Sequence, residues 1–184
     1  MTRLTSLFTA LALTTTAALA DGHSANATAA YAELKNLEGT TIGMATLTPS
    51  PAGVLVHVRV DGMPAGKKGI HLHSKASCLA DTGFKSSKGH HAEAKGEHGL
   101  LNPGGPGNGD LGNIFVGTDG VGEMEFFKVG ISLDGEAYPL LDTDGSAIVI
   151  HEKQDDHISQ PIGGAGARLV CGLVQPGEMA AKDS

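Results

Sequence analysis

Short stretches in which apolar and polar residues alternate recur along most of this chain, and turn residues separate them. A period of two places neighbouring side chains on opposite faces, so each stretch predicts a β-strand with one buried face. Residues 36–39 and 49–53 are rich in Asn, Gly and Pro and predict the first two turns. The predicted strands span residues 28–35, 40–48, 53–63, 69–74, 113–116, 122–128, 147–151 and 168–174.

About eight short strands with no helix beyond a loop turn predict an all-β fold. We expect a Greek-key antiparallel β-sandwich or barrel. Two long irregular segments, 75–112 and 152–166, interrupt the strands, and loops of that length in a compact domain are typically functional. Glycine supplies 27 of 184 residues, about twice its usual share, which favours turns and loops over helices.

The N-terminus has the pattern of a secretory signal peptide. Arg3 is followed by an uncharged apolar run over 7–18, and Ala18-Leu19-Ala20 forms a small-x-small cleavage site. The apolar run is too short for a bilayer span. We therefore expect residues 1–20 to be a signal peptide and residues 21–184 to form a single exported domain.

Charge excludes two classes of partner. The whole chain has 13 basic and 20 acidic residues. Arg3 is one of the basic residues and lies in the leader, so the rest of the chain has one basic residue fewer and is strongly acidic. An acidic chain without basic-aromatic clusters is a poor ligand for nucleic acid or an anionic membrane. We expect neither as a partner.

Two cysteines are present, Cys78 and Cys171. In an exported protein an even pair usually forms a disulfide. Two free buried thiols are the alternative.

The most informative motif is the segment 69–73, which reads Gly-Ile-His-Leu-His. On a strand His71 and His73 share one face, about 6.5 to 7 Å apart, while Ile70 and Leu72 share the other. Two imidazoles so placed could bind one Cu, Zn, Fe or Ni ion. By itself the motif also fits two polar residues on a solvated face.

Further histidines strengthen the metal interpretation. His90, His91 and His98 lie in the first long segment, which ends near Asp110, and His151 closes an apolar strand. Of the remaining three, His57 is expected at or near the surface, His23 in a flexible N-terminus and His157 in solvent.

Together these residues resemble the Cu/Zn superoxide dismutases of the bacterial exported branch. The resemblance covers about 28–174 and implies a β-sandwich, copper and zinc cofactors, superoxide as substrate and a periplasmic location. The matching segments are 69–73, Cys78, 89–90, 98–99, 109–111, 150–152, 155–156 and 166–172.

The resemblance also implies roles for single residues. His90 would bridge copper and zinc and carry a proton, and Arg168 would attract the anion beside copper. Asp155 would link a copper histidine to a zinc histidine and fix their tautomers, and Cys78 would pair with Cys171. The implied copper ligands are His71, His73, His90 and His151, and the implied zinc ligands are His90, His98 and Asp110.

The zinc loop departs from the family pattern. Gly107 stands where the family has a histidine ligand, and zinc usually takes four ligands. Water, His91, Glu97 or Asn108 could fill the position, and otherwise we expect zinc to be bound weakly. His91 also stands next to the bridge, but His90 follows Gly89 as in the family and is preferred.

Three functions compete at this point. An active superoxide dismutase is favoured over a non-enzymatic periplasmic copper-binding or buffering protein, because a buffer has no need of Arg168. A β-sandwich binding module with chance histidines is the third. The sequence leaves the oligomeric state open, and a homodimer is compatible with it.

Overall fold

The chain forms a closed antiparallel β-barrel. The computed structural model describes residues 27–92 and 97–178. The strands are β1 (Ala30–Asn36), β2 (Thr41–Ser50), β3 (Gly53–Val60), β4 (Gly66–His73), β5 (Asp110–Val116), β6 (Gly122–Val129), β7 (Ala147–His151), β8 (Arg168–Leu173) and the two-residue β9 (Gln175–Pro176).

The strand order explains the closure. Neighbours run β2-β3-β6-β5-β4-β7-β8-β1, and β1 also pairs with β2. The first eight strands therefore have no free edge, while β9 extends from β1. The predicted all-β class is confirmed. Between β4 and β5 the described residues contain two single 3-10 turns, Ala80–Thr82 and Lys85–Ser87.

Alternation along the strands builds the core. In β3, Val54, Val56, Val58 and Val60 point inward and are at most 1% exposed. Strand β7 differs, because all five of its residues are buried. A strand buried on both faces must be covered on the outside as well, and the two long loops provide that cover beside β4 and β7.

Two predicted strands begin earlier than their sequence pattern indicates. β4 begins at Gly66 instead of residue 69, and β5 begins at Asp110 instead of residue 113. Asp110 pairs with His71 across a register shift between Ile70 and His71. The sequence pattern does not reveal this start, because a carboxylate such as that of Asp110 is more typical of a loop than of the first position of a strand.

The predicted disulfide is formed. Cys78 is bonded to Cys171, 93 residues away, and neither cysteine is free. The chain-entropy model assigns a loop of this length about 4 to 5 kcal/mol of stabilisation. The bond ties the start of the long loop to β8. Phe84, which is 1% exposed, packs in the same small cluster with Val149 and Cys171.

No helix within the described ranges is long and apolar enough to cross a membrane.

Candidate metal centre

Four histidines converge on one side of β4. His71 and His73 are adjacent on the outer face of β4, and His151 ends β7, which pairs with β4. His90 comes from the long loop, where it forms an isolated backbone bridge with His73. All four are buried, and one ring nitrogen from each lies within 4.8 Å of the others.

Hydrogen bonds fix the tautomers of three of these rings. His71 Nε2 donates to Asp155 Oδ2 at 2.7 Å. His73 Nδ1 donates to the Lys88 carbonyl at 2.9 Å, and His151 Nδ1 donates to the Gly166 carbonyl at 3.2 Å. The opposite nitrogen of each ring then carries a lone pair.

Those lone pairs have no hydrogen-bond partner. Nδ1 of His71 and Nε2 of His73 and His151 are buried and unsatisfied. A buried polar atom left without a partner costs about 1 to 3 kcal/mol, so three of them facing one point are a costly arrangement in the absence of a ligand. A cation that takes imidazole nitrogen, such as copper, fits this donor set.

Burial also keeps these imidazoles neutral. It lowers the pKa of His71 to about 4 and that of His151 to about 3. The pKa of His73 is held well below its usual value by burial and then by the charge of Arg168. Neutral imidazole is the form that binds metal, so at pH 7 these three rings need release no proton.

A second cluster lies on the other side of His90. His98 Nδ1 is 2.6 Å from Asp110 Oδ1, and His90 Nδ1 is 3.6 Å from the same oxygen. His98 Nδ1 and Asp110 Oδ1 are buried and, despite their proximity, make no hydrogen bond of good geometry. The other carboxylate oxygen, Oδ2, accepts the backbone N–H of Gly99 at 2.8 Å and of Gly107 at 2.9 Å. A nitrogen and a carboxylate oxygen facing each other fit zinc.

His71 also lies within 4.8 Å of His98 and Asp110. Its Nε2 is bonded to Asp155, however, and its Nδ1 belongs to the four-histidine cluster. His90 therefore remains the better candidate to join His98 and Asp110.

Electrostatics in this second cluster favour the charged forms. Burial alone would raise the pKa of Asp110, but the adjacent rings of His90 and His98 and the bond from the Gly99 N–H hold it well below its usual range. Burial alone would lower the pKa of His98, but Asp110 and Asp155 raise it to about 10. A divalent cation would replace the His98 proton as the positive partner of these carboxylates.

Asp155 connects the two clusters. Its Oδ2 accepts from His71, and its Oδ1 accepts from His98 Nε2 at 3.2 Å. The His157 backbone N–H gives Oδ1 a further bond at 2.6 Å. Burial would raise the pKa of Asp155, but these bonds keep it well below its usual range. One carboxylate thus orients a ring in each cluster.

Asn113 holds Asp155 in turn. The Asn113 side chain accepts the Asp155 N–H at 2.8 Å and donates to the Asp155 carbonyl at 2.9 Å. It also donates to His157 Nε2 at 3.0 Å. The expectation that His157 is solvated is wrong: its side chain is 21% exposed and packs beside the carboxylate.

His91 is directed away from both clusters. Its Nε2 donates to the Tyr138 carbonyl at 3.1 Å, and its Nδ1 accepts from the Ser146 hydroxyl at 3.2 Å. Both ring nitrogens are therefore engaged elsewhere. This geometry favours His90 over His91 as the ring between the clusters.

Arg168 lies beside the four-histidine cluster. Its guanidinium donates to the Phe84 carbonyl at 2.8 Å, to Ser87 Oγ at 3.0 Å and to the Lys88 carbonyl at 2.7 Å. Its charge contributes to the lowered pKa values of both His73 and His151. These contacts place a fixed positive charge beside the cluster.

A closed antiparallel barrel with a buried cluster of metal-type ligands defines a β-barrel metalloprotein. The family model "Copper/zinc superoxide dismutase (SODC)" matches residues 41–174. The chain therefore belongs to the copper/zinc superoxide dismutase family, which uses copper and zinc.

Individual relatives agree with this assignment. The chain is 43% identical over 149 residues to "Superoxide dismutase [Cu-Zn]" of Caulobacter vibrioides, covering 79% of this chain and 85% of that one. It is 39% identical over 148 residues to "Superoxide dismutase [Cu-Zn] 2" of Aquifex aeolicus, covering 79% and 86%. The crystal structure of a SOD-like protein from Bacillus subtilis matches with a TM-score of 0.71 at 35% identity, covering 78% and 96%.

Gly163 should control the position of Asp155. A Cβ at Gly163 would collide with Asp155 Oδ1 and lie 2.9 Å from His98 Nε2. We expect Gly163→Ala to lower metal affinity about 10- to 100-fold, the usual effect of disturbing groups that orient ligands. Competition with a chromophoric chelator measures it.

The matched control for this variant is Gly164→Ala. Gly164 has a φ of +65° against +60° for Gly163, but its Cβ would meet nothing closer than 4.0 Å. It carries the same backbone strain without the collision. Equal metal affinities in the two variants would contradict the role assigned to Asp155.

The metal-free protein should lose stability in mild acid. In the unfolded chain His71 and His151 take up protons near pH 6.5, but in the folded chain their pKa values are about 4 and about 3. The unfolded state therefore binds more protons between pH 6.5 and 4, and the free energy of unfolding falls as pH falls through that range. The contribution of His98, whose pKa is raised to about 10, is lost only on the alkaline side.

Urea unfolding of the metal-free protein at pH 7 and pH 4.5 measures this fall. His151→Gln removes one of the responsible groups and should reduce the fall. An unchanged unfolding free energy across the range would contradict the expectation.

Proposed function

We propose that this protein is a copper-dependent superoxide dismutase, in which His71, His73, His90 and His151 hold copper. The observation that carries the proposal is the set of buried, unpaired ring nitrogens on His71, His73 and His151, with Arg168 beside them. Family membership supports the activity, and the donor set supports the metal.

The second cluster is proposed to hold zinc through His90, His98 and Asp110. His90 would then lie between the metals, with Nδ1 toward Asp110 and Nε2 toward the four-histidine cluster. Asp155 is proposed as the carboxylate that fixes the tautomers of His71 and His98.

Copper, when bound, supplies a one-electron redox couple. Two superoxide ions and two protons give one dioxygen and one hydrogen peroxide. Arg168 draws in the anion by its charge and can donate N–H groups to it. His90 Nε2 is proposed to hold a proton for the peroxide oxygen, a role open to an imidazole ring because either of its nitrogens can carry a proton.

A copper-binding protein without turnover is the competing function. It needs the histidines and could use Arg168 only to anchor the long loop through its bonds to Phe84, Ser87 and Lys88, whereas the positive charge lowers the affinity of a nearby site for a cation. The pKa of this guanidinium is itself lowered by burial, so holding it there is costly. A binding protein would not be expected to retain such a group, and this favours the enzyme.

Superoxide consumption by the copper-loaded protein tests the proposal. We expect fast turnover that weakens with added salt, and a kcat/KM about tenfold lower in Arg168→Gln because the local attracting field is lost. Copper content should stay the same. Turnover that is absent despite bound copper would refute the enzyme and favour the binding protein.

The control for net charge is Arg59→Gln. Arg59 is on β3, its side chain is 55% exposed, and it contacts Glu123 at 3.5 Å. It changes the total charge by the same amount as Arg168→Gln. An equal loss of kcat/KM in both variants would assign the effect to net charge and not to the position of Arg168.

We also propose that the protein is exported to the periplasm through cleavage after Ala20. Residues 1–20 lie outside the described ranges, so the support is the leader pattern and the Cys78–Cys171 disulfide, a bond typical of oxidising compartments. N-terminal sequencing of protein from the periplasmic fraction should begin at Asp21. Recovery of the chain in the cytoplasm with residues 1–20 intact would contradict export.

A further inference from the structure

Gly107 offers the zinc cluster no ligand of its own. It has no side chain, and both of its backbone polar groups are engaged. Its N–H donates to Asp110 Oδ2 at 2.9 Å, and its carbonyl accepts from Lys128 Nζ at 2.6 Å. Lys128 is only 4% exposed, so this second bond is enclosed by the barrel end.

The side chains nearest in sequence do not take its place. Both ring nitrogens of His91 are bonded to Tyr138 and Ser146. Asn108 donates to the Ala92 carbonyl at 3.1 Å. Among the described residues, the acidic and imidazole groups within 4.8 Å of His98 and Asp110 include neither His91 nor Glu97.

A surface cavity lies beside the segment that contains Gly107. Its volume is about 670 Å³, and its lining includes His90, Glu97 and the two residues that flank Gly107, Pro106 and Asn108. A cavity of this size admits a small molecule. Of the three proposed zinc ligands, His90 lines this cavity.

We propose that the zinc site of this protein keeps an exchangeable fourth position, which holds water and accepts a small nitrogen-donor ligand of imidazole size from solution. Three protein ligands and one open position are the coordination of catalytic zinc, whereas structural sites are closed by four. The inference rests on the proposed zinc ligands His90, His98 and Asp110. Its structural basis is the pair of buried atoms His98 Nδ1 and Asp110 Oδ1, which face each other at 2.6 Å without a hydrogen bond of good geometry.

Cobalt(II) is the probe, because it reports its own coordination through visible absorption bands. The mature protein is first loaded with copper(I), which is colourless, and then with one equivalent of cobalt(II). Titration with free imidazole should shift the cobalt bands with saturation. Gly107→His should bind cobalt more tightly, because it completes a four-ligand site, and it should lose the response to imidazole, because its own imidazole fills the position.

Gly107→Ala is the matched control, since alanine adds bulk without a donor atom and should keep the response. Cobalt bands in the wild-type protein that do not respond to imidazole would overturn the proposal. So would an equal imidazole response in a cobalt-loaded Gly107→His protein. If Gly107→His takes up no cobalt, the wild-type and Gly107→Ala titrations decide.

Failure of the underlying assignment has a different signature. His98→Ala should abolish the cobalt bands, and bands that persist would show that the zinc ligands are wrongly assigned. Superoxide turnover is measured separately on the copper-loaded protein and does not depend on the cobalt result.

Discussion

The metal centre depends on one buried carboxylate. Asp155 is 1% exposed, and a buried charge costs several kcal/mol unless it is paired and hydrogen-bonded. It is stabilised by one ring from each cluster and by a backbone N–H. Because each ring donates Nε2–H to the carboxylate, Nδ1 is the nitrogen left for a metal, as a lone pair in His71 and after loss of its proton in His98. The position of one oxygen pair thus determines which nitrogen of His71 and of His98 faces its metal.

The barrel determines the remaining geometry of the metal centre, because it holds the loops against β4 and β8. The disulfide and the buried Phe84 ring anchor the long loop, whose carbonyls at 84 and 88 then become acceptors. The Lys88 carbonyl accepts from both His73 Nδ1 and Arg168 Nη2. A single backbone group therefore orients both a proposed copper ligand and the guanidinium of Arg168. Disulfide formation and the geometry of the metal centre are linked through this loop.

Sequence reasoning predicted what depends on period and motif. The alternation at 69–73 placed His71 and His73 on one face, and the structure has them adjacent and fully buried. It could not predict contacts that depend on register. Asn113 looks like an ordinary strand residue, yet register places its amide against the backbone of Asp155. His157 looked solvated because nothing local shows that Asn113 reaches it.

One contact that the sequence analysis did not predict, that of Lys128, was indicated by the sequence pattern. Met124, Phe126 and Lys128 follow one another at every second position of β6, so their side chains share its inward face. A charged residue on that face requires a partner. Its partner is the carbonyl of Gly107, which lies 21 residues earlier. The alternation along β6 alone predicts that the Lys128 side chain points inward, but its partner could be identified only from the structure of the closed barrel.

The same geometry means that the orientation of His71, His73 and His151 does not depend on bound zinc. A weakly held zinc would remove one of the cations near Asp155, and the orientation of His71 would suffer if zinc alone held that carboxylate in place. It does not: the His157 N–H bonds Oδ1, and Asn113 clamps the backbone of Asp155 by both of its polar groups. The lone pairs of His73 and His151 are set by backbone carbonyls that contact neither His98 nor Asp110. Three of the four histidines are therefore preorganised by the fold itself, and the absence of a zinc ligand at Gly107 is compatible with an intact proposed copper position.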